Sequence, residues 1–328
     1  MAKFATIGVD IGGTKTRLAL FDEKFRVIQD AKFKTRATEG EKRFRKDLQN
    51  SLTELLTRAD KTNLKLLALG IGAAGTPDPQ RGALKTSSVP FLKDFPLVSL
   101  LNKSSGVPVC LGNDVHMGIY GEHQLGAAVG LQHVIGVFFG TGLGAGLILH
   151  GKLYGGANGT AGDIGHYLIA PMGPLAGSEA EGTLNDLMSR GALAGKAAML
   201  ATRGLAPYLL KKVGTEIMAI RSGELSESIV NGDKEVERMI RSRARMTGIA
   251  LSNFVDLLNP EMVVLGGGLV EAMPALFLKE VEAGIREHTV LKIQRACRVV
   301  VSKLKKYAVA AGAAKMAWDT LVRSASQS

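Results

Sequence analysis

The sequence predicts a two-domain α/β protein with duplicated β-sheet cores. Three observations carry that reading. The chain has 328 residues, more than one compact core holds and comfortable for two. It opens on strand, glycine turn, strand, turn, strand, and the same order returns after residue 133. Amphipathic helical segments separate the remaining apolar strands.

The elements follow in order. ATIGVD, RLALFD and RVIQDAKFK alternate apolar and polar residues with a period near two, as pleated strands do, with IGGTKT and EKF as the turns between them. Phe44, Leu48, Leu52, Leu55, Leu56 and Ala59 recur at helical spacing, and the opposite face is Lys, Arg and Glu. LKLLALGIGAAG reads as a buried strand ending in a glycine turn, and GVPVCLGND as a second one ending on a carboxylate. HVIGVFFGTGLGAGLILHGKLYGG then repeats the opening order at low identity. Helices are expected over about 184–222 and 233–258, followed by the strand MVVLGGG, a helix, the strand RVVV and a last helix over about 306–322. The first domain is expected to span 1–114, joined by the C-terminal helix (about 306–328), and the larger second domain 115–305.

Composition bounds the function. Hydrophobic residues make up 46% and charged residues 22%, the range of a soluble globular protein. The 40 glycines cluster in discrete runs, which marks them as turns and phosphate cradles rather than filler. Cys110 and Cys297 stand outside any metal-ligand spacing, so neither a disulfide framework nor a cysteine zinc site is expected. With a strand starting at once after MAKF and no apolar run near 20 residues, a cytoplasmic protein is expected, with no membrane partner. The net charge of +11 concentrates in Lys24–Lys65 and Lys292–Lys306. No nucleic-acid-binding pattern accompanies those stretches, which read as solvated helix faces.

Two glycine segments mimic well-known motifs. GVDIGGTK (8–15) has one residue too many before its lysine for a P-loop, and GTGLGA (140–145) fits a variant dinucleotide fingerprint. Both motifs require a helix after the loop, and here each loop leads into a period-two strand. What remains is a glycine-rich hairpin turn used twice. Such turns aim consecutive backbone N–H groups at one oxyanion. Thr14, Thr16 and Thr141 add hydroxyls and Lys15 adds charge. Asp10 at the first loop would repel phosphate unless a divalent cation lay between, and Mg²⁺ held through water is the natural choice. Asp114 ends a buried strand on a loop. From residue type alone it reads equally as a general base for a hydroxyl attacking phosphate and as a helix N-cap.

With these residues in hand, the chain resembles the ROK family (repressors, open reading frames and sugar kinases) nearly end to end. The matching stretches are DIGGTKT (10–16), GIGAAGTPDPQRGAL (70–84), LGNDVHMGIYGE (111–122), FGTGLGAGLILHGKLYGGANGTAGDIGH (139–166) and NPEMVVLGGGL (259–269). The resemblance implies an actin/hexokinase-like (ribonuclease H-like) fold with a cleft between its domains, and an ATP-dependent hexose kinase that forms a homodimer. It implies that Gly12, Gly13, Thr14, Gly140, Thr141, Gly142 and Gly144 hold ATP phosphates, with Gly267 and Gly268 beside the adenosine. Gly75, Ser88, Asn113, Asp163, His166 and Asn185 would contact the sugar, and Asp114 would be the base. In the family the residue matching His166 is also a zinc ligand, completed by a three-cysteine motif. Here Ala176, Ser178 and Thr183 occupy the cysteine positions, so no zinc is expected. Asp163 and Asn185 each replace a family Glu, and Ser88 stands where an Asn would often contact sugar. The same resemblance leaves open polyphosphate as phosphoryl donor, an amino-sugar or cyclitol as acceptor, and a sugar-responsive regulator. That last reading needs a DNA-binding region, and only nine residues precede Asp10.

Overall fold

A computed structural model describes residues 3–169, 182–290 and 297–323. The first sheet contains β1 (Lys3–Ile11), β2 (Lys15–Asp22), β3 (Val27–Lys34), β4 (Leu64–Ala73) and β7 (Val109–Asn113), in the order β3-β2-β1-β4-β7. β1, β2 and β3 pair antiparallel, and β4 and β7 extend the sheet in parallel from β1. The second sheet contains β8 (Val134–Phe139), β9 (Leu143–Leu149), β10 (Lys152–Tyr154), β11 (Met262–Gly266) and β12 (Arg298–Val301), in the order β10-β9-β8-β11-β12. Counted from its own first strand, each sheet therefore has the order 3-2-1-4-5. The repeat read from the glycine turns is a repeat of topology. β5 (Gly75–Asp78) and β6 (Ala83–Ser87) form a separate antiparallel pair.

The chain divides into two compact units, one of residues 1–131, 146–161 and 302–328, the other of 132–145 and 162–301. In the first, helix α1 (Glu41–Lys61) lays Phe44, Leu48, Leu52 and Leu55 on the apolar residues of β1, β2 and β4. α2 (Leu97–Ser105) adds Leu97, Leu100 and Leu101 to the same core and stops at Gly106 in the left-handed conformation. The other sheet face is covered by α11 (Ala308–Ala317), made almost wholly of small residues, with α3 (Asp114–Leu125) beside it. The approach is backbone to backbone: a Cβ on Gly8 would lie 1.8 Å from the Ala310 carbonyl oxygen, and one on Gly70 1.9 Å from that of Ala313. A side chain at either glycine would hold the helix off the sheet.

In the second unit the expected helical stretch 184–222 is several pieces: α4 (Leu184–Met188), α5 (Arg190–Thr202), α6 (Pro207–Val213) and a 3₁₀ turn at 217–219. Ser189 ends the first and caps the second, while Gly204 and Gly214 take positive φ and Pro207 opens α6. α7 (Ser222–Val230), α8 (Lys234–Leu258), α9 (Gly268–Ala272) and α10 (Pro274–His288) complete the unit. Among the described residues no helix is long and apolar enough to cross a membrane.

Candidate active site

The first glycine turn joins β1 to β2. Ile11 pairs with Thr16, and Gly12 N donates to Lys15 O (3.1 Å), closing the four-residue turn 12–15. Thr14 O accepts from Thr35 N (3.0 Å). Thr35 Oγ1 donates to Gly12 O (2.6 Å) and therefore receives its own hydrogen bond from the buried Thr16 hydroxyl (3.1 Å). Thr16 thus braces the turn from beneath, while Gly12, Gly13 and Thr14 are half-buried and Lys15 is exposed. Two hydroxyls far apart in sequence fix the turn's shape before any ligand arrives.

Register places the rest of this unit's candidates. Across the parallel strands Ile11 faces Ala73, and Ala73 faces Asn113. Asp10, the glycine turn, Gly75 and Asp114 consequently emerge from the same edge of three neighbouring strands, spaced about 5 Å apart. The carboxyl edge of parallel strands is where open α/β sheets bind ligands. Asn113 caps α3: its Oδ1 accepts from His116 N (3.1 Å), and its Nδ2 donates to Gly75 O (3.1 Å). Gly75 has φ +150°, and a Cβ there would lie 2.1 Å from Thr86 O, so that position admits no side chain. With capping done by Asn113, Asp114 is the first helical residue, half-buried, its Oδ1 receiving Val115 N (3.0 Å). A carboxylate there lies in the favourable field of the helix N-terminus. Ser88 is exposed just beyond β6, while its neighbour Ser87 bonds Ala74 O (2.9 Å).

The second unit gathers its own set. The turn after β8 is three residues long, closed by Gly140 N to Gly142 O (2.8 Å), with Thr141 and Gly142 exposed at its tip and Gly144 half-buried in β9. Asn185 Oδ1 accepts from Leu143 N (2.7 Å), and a Cβ on Gly165 would come within 2.4 Å of Asn185 Nδ2. Asn185 therefore joins the phosphate-type turn to the 3₁₀ turn 164–166, and one oxygen lone pair is committed to that task. Asp163 and His166 project from this short turn, both well exposed, 3.8 Å apart. Gly267 has φ +89°, and a Cβ there would sit 2.5 Å from Phe139 O. Since Gly266 pairs with Phe138, the turn 266–268 and the turn 140–142 lie side by side at the same edge of the sheet. Thr183 is buried in a capping box with Asp186, whereas Ala176 and Ser178 lie outside the described residues.

Asp10 suits a magnesium ion. It is a hard oxygen ligand at a strand edge beside a glycine turn, and it is half-buried. The described residues contain no group of three or more His, Cys, Asp and Glu arranged to hold a metal. Phosphate and water oxygens would complete such an ion's shell.

Sequence reasoning missed two anchors. His116, buried on α3, donates from Nε2 to Ala161 O (2.7 Å) and so ties the glycine-rich segment 155–161 to the helix that begins with Asp114. Glu122, fully buried, accepts from Ala127 N, Ser302 Oγ, Lys303 N and Leu304 N. The available signal was their type: a His and a Glu on the inward face of an otherwise small and apolar helix need partners.

Two sheets of one strand order, with glycine turns at their carboxyl edges, define the actin/hexokinase-like class of α/β fold. The chain belongs to the ROK family, whose model matches residues 6–320. A crystal structure of a ROK family glucokinase from Streptomyces griseus in complex with glucose and AMPPNP has a TM-score of 0.83 at 29% identity, covering 96% of this chain and 99% of that one. The glucokinase of Streptomyces coelicolor is 30% identical over 266 residues, 80% of this chain and 82% of the glucokinase. A putative xylose repressor from a Caldicellulosiruptor species is 27% identical over 310 residues, 94% of this chain and 77% of the repressor.

Proposed function

We propose that this protein is an ATP-dependent sugar kinase that transfers the γ-phosphate to a hexose hydroxyl, O6 of glucose or a related hexose. The observation that carries the reading is the register row Ile11–Ala73–Asn113, which brings Asp10, the turn 12–14 and Asp114 to one strand edge while Asn113 takes over the capping. In this reading Asp114 accepts the proton of the attacking hydroxyl, and Asn113, Gly75 and Ser88 orient the sugar. Asp163, His166 and Asn185 would meet sugar hydroxyls. Backbone N–H groups of Gly13 and Gly142, with Thr14, Lys15 and Thr141, hold phosphate, while the N–H groups of Gly12 and Gly140 close the turns that present them, and Gly267 and Gly268 admit the nucleoside. Magnesium at Asp10 would neutralise phosphate charge. The names of the glucokinase relatives support this chemistry.

The altered positions Asp163 and Asn185 give the sugar specificity. With one Asn185 lone pair committed to Leu143 N, its NH₂ is the group left to recognise a ligand, and it donates. A sugar bearing an acceptor there, such as an N-acetyl carbonyl, fits better than one offering only a hydroxyl proton. The test is a panel of hexoses, N-acetylated and amino hexoses and cyclitols, with ATP·Mg²⁺ and separately with inorganic polyphosphate. Turnover of a hexose with ATP is expected. The similarity to the repressor supports a second reading, sugar binding without transfer. Tight sugar binding with no turnover on any donor would establish it and overturn the kinase.

A further inference from the structure

The half-buried arginines of the second unit fall into two groups. Arg241 and Arg245 hold glutamates, and Arg243 donates to Leu187 O (2.7 Å). Among the described residues Arg190 and Arg221 form no ion pair, and the Glu224 carboxylate accepts from the Arg221 backbone N–H (3.1 Å). Arg190 is bonded to the first of the two glycine turns, and Arg221 is the chain neighbour of a residue beside the second. Arg190 N donates to Gly140 O (3.1 Å), fixing the residue at the root of the turn 140–142. Arg221 directly precedes Ser222, whose Oγ lies 3.6 Å from where a Cβ on Gly268 would be. The two turns follow parallel strands paired at Phe138 and Gly266, so both arginines lie at one sheet edge.

This placement is costly without a ligand. Burial, and then the Arg221 charge, weaken the hold of the Arg190 guanidinium on its proton. Arg190 also opens α5 and Arg221 caps α7, ends at which a cation opposes the helix dipole. Burial, the Arg221 charge and the dipole of α5 all work against Arg190, and one bound anion relieves all three. Guanidinium groups grip phosphate through paired N–H donors, which ammonium groups do not.

We propose that Arg190 and Arg221 form a paired-guanidinium seat for a linear phosphoanhydride chain, the phosphate part of the phosphoryl donor. The assignment rests on the reading of these turns as the donor site. A nucleoside triphosphate and inorganic polyphosphate both present this chemistry, and the chain would lie against the turn 140–142, beside the turn 266–268 that admits the nucleoside.

Calorimetric titration of the full chain with ATP·Mg²⁺, magnesium tripolyphosphate and adenosine tests it. Arg190→Gln and Arg221→Gln should each weaken phosphate-chain binding by about tenfold or more and leave adenosine unchanged. Each should also raise the melting temperature of the ligand-free protein, because a repulsion is removed. Arg190→Lys should fall between, keeping the charge and losing the fork. Loss seen with ATP alone, tripolyphosphate not binding the parent protein, assigns the seat to the nucleotide. Loss with both probes assigns it to the chain itself. Variants that bind both probes like the parent overturn the proposal, as does a parent protein that binds neither. So does a loss confined to adenosine, which would make the arginines part of the nucleoside's packing. A parent protein that binds the chain and phosphorylates no sugar leaves the seat standing and removes the kinase reading.

Discussion

Asn113 takes the capping job that sequence alone could not assign between it and Asp114. An Asn-Asp pair before a helix offers two candidate caps, and only the hydrogen bond from His116 N to Asn113 Oδ1 shows which one serves. The consequence is a sharp expectation for Asp114→Asn. Folding should be nearly untouched, because the cap is elsewhere, while kcat should fall on the order of 10²–10⁴-fold as basicity is lost. Near-parental kcat with the preferred sugar would remove Asp114 from the base role. Asn185 teaches the reverse lesson. Its position in the sequence suggested a sugar contact, yet its oxygen serves Leu143 N, 42 residues away, a partner no local pattern reveals. Asn185→Ala should strand that half-buried N–H, cost about 1–3 kcal/mol, and raise KM for the phosphoryl donor by loosening the turn. Asn185→Asp keeps an acceptor and should restore the melting temperature. A variant set in which Ala and Asp behave alike would show that the bond carries nothing.

At the level of elements, strong periodicity was legible and punctuation was not. The apolar positions of α1 are the residues that reach the core, and the two glycine hairpins lie where alternation stops and resumes. α2 and the β5–β6 pair escaped notice because LVSLLNKSS and GTPD are too short to show a period. The stretch 184–222 read as more continuous than it is, since an Ala- and Leu-rich composition hides breaks that Ser189, Gly204 and Gly214 impose. The seat of α11 was equally invisible. Nothing in the spacing of Gly8 and Gly70 says that a helix backbone will rest on them. Gly70→Ala should therefore destabilise strongly for one methyl group, by about 1–3 kcal/mol or more, with a melting temperature several degrees lower. Gly106→Ala, with no atom near its would-be Cβ but a left-handed backbone, separates the two effects. Its smaller loss should measure conformation alone, and an equal loss at Gly70 would deny the steric contact.

For the molecule as a whole, the two thiols are pushed by burial from 9.0 up to about 11. A thiol that ionises later folded than unfolded adds stability below pH about 9 and loses it as the pH rises toward about 11. Denaturant titrations should show stability falling across that window, less steeply in Cys110→Ala, and a thiol reagent at neutral pH should react fast only after unfolding. A pH-independent midpoint from 8 to 11 would contradict the shift. The seat of α11 also carries a consequence in time. Gly8 leaves the ribosome about three hundred residues ahead of Ala310, the backbone it rests against. At cellular rates of roughly 5–20 residues per second, β1 waits about 15–60 s for the helix that covers that face of its sheet. During that interval a nascent chain exposes Gly8 and Gly70 with the apolar strands around them, a surface suited to a chaperone. A message cut short before the codon of Ala308 would yield a polypeptide bearing every proposed catalytic group and no cover for the strands that hold them.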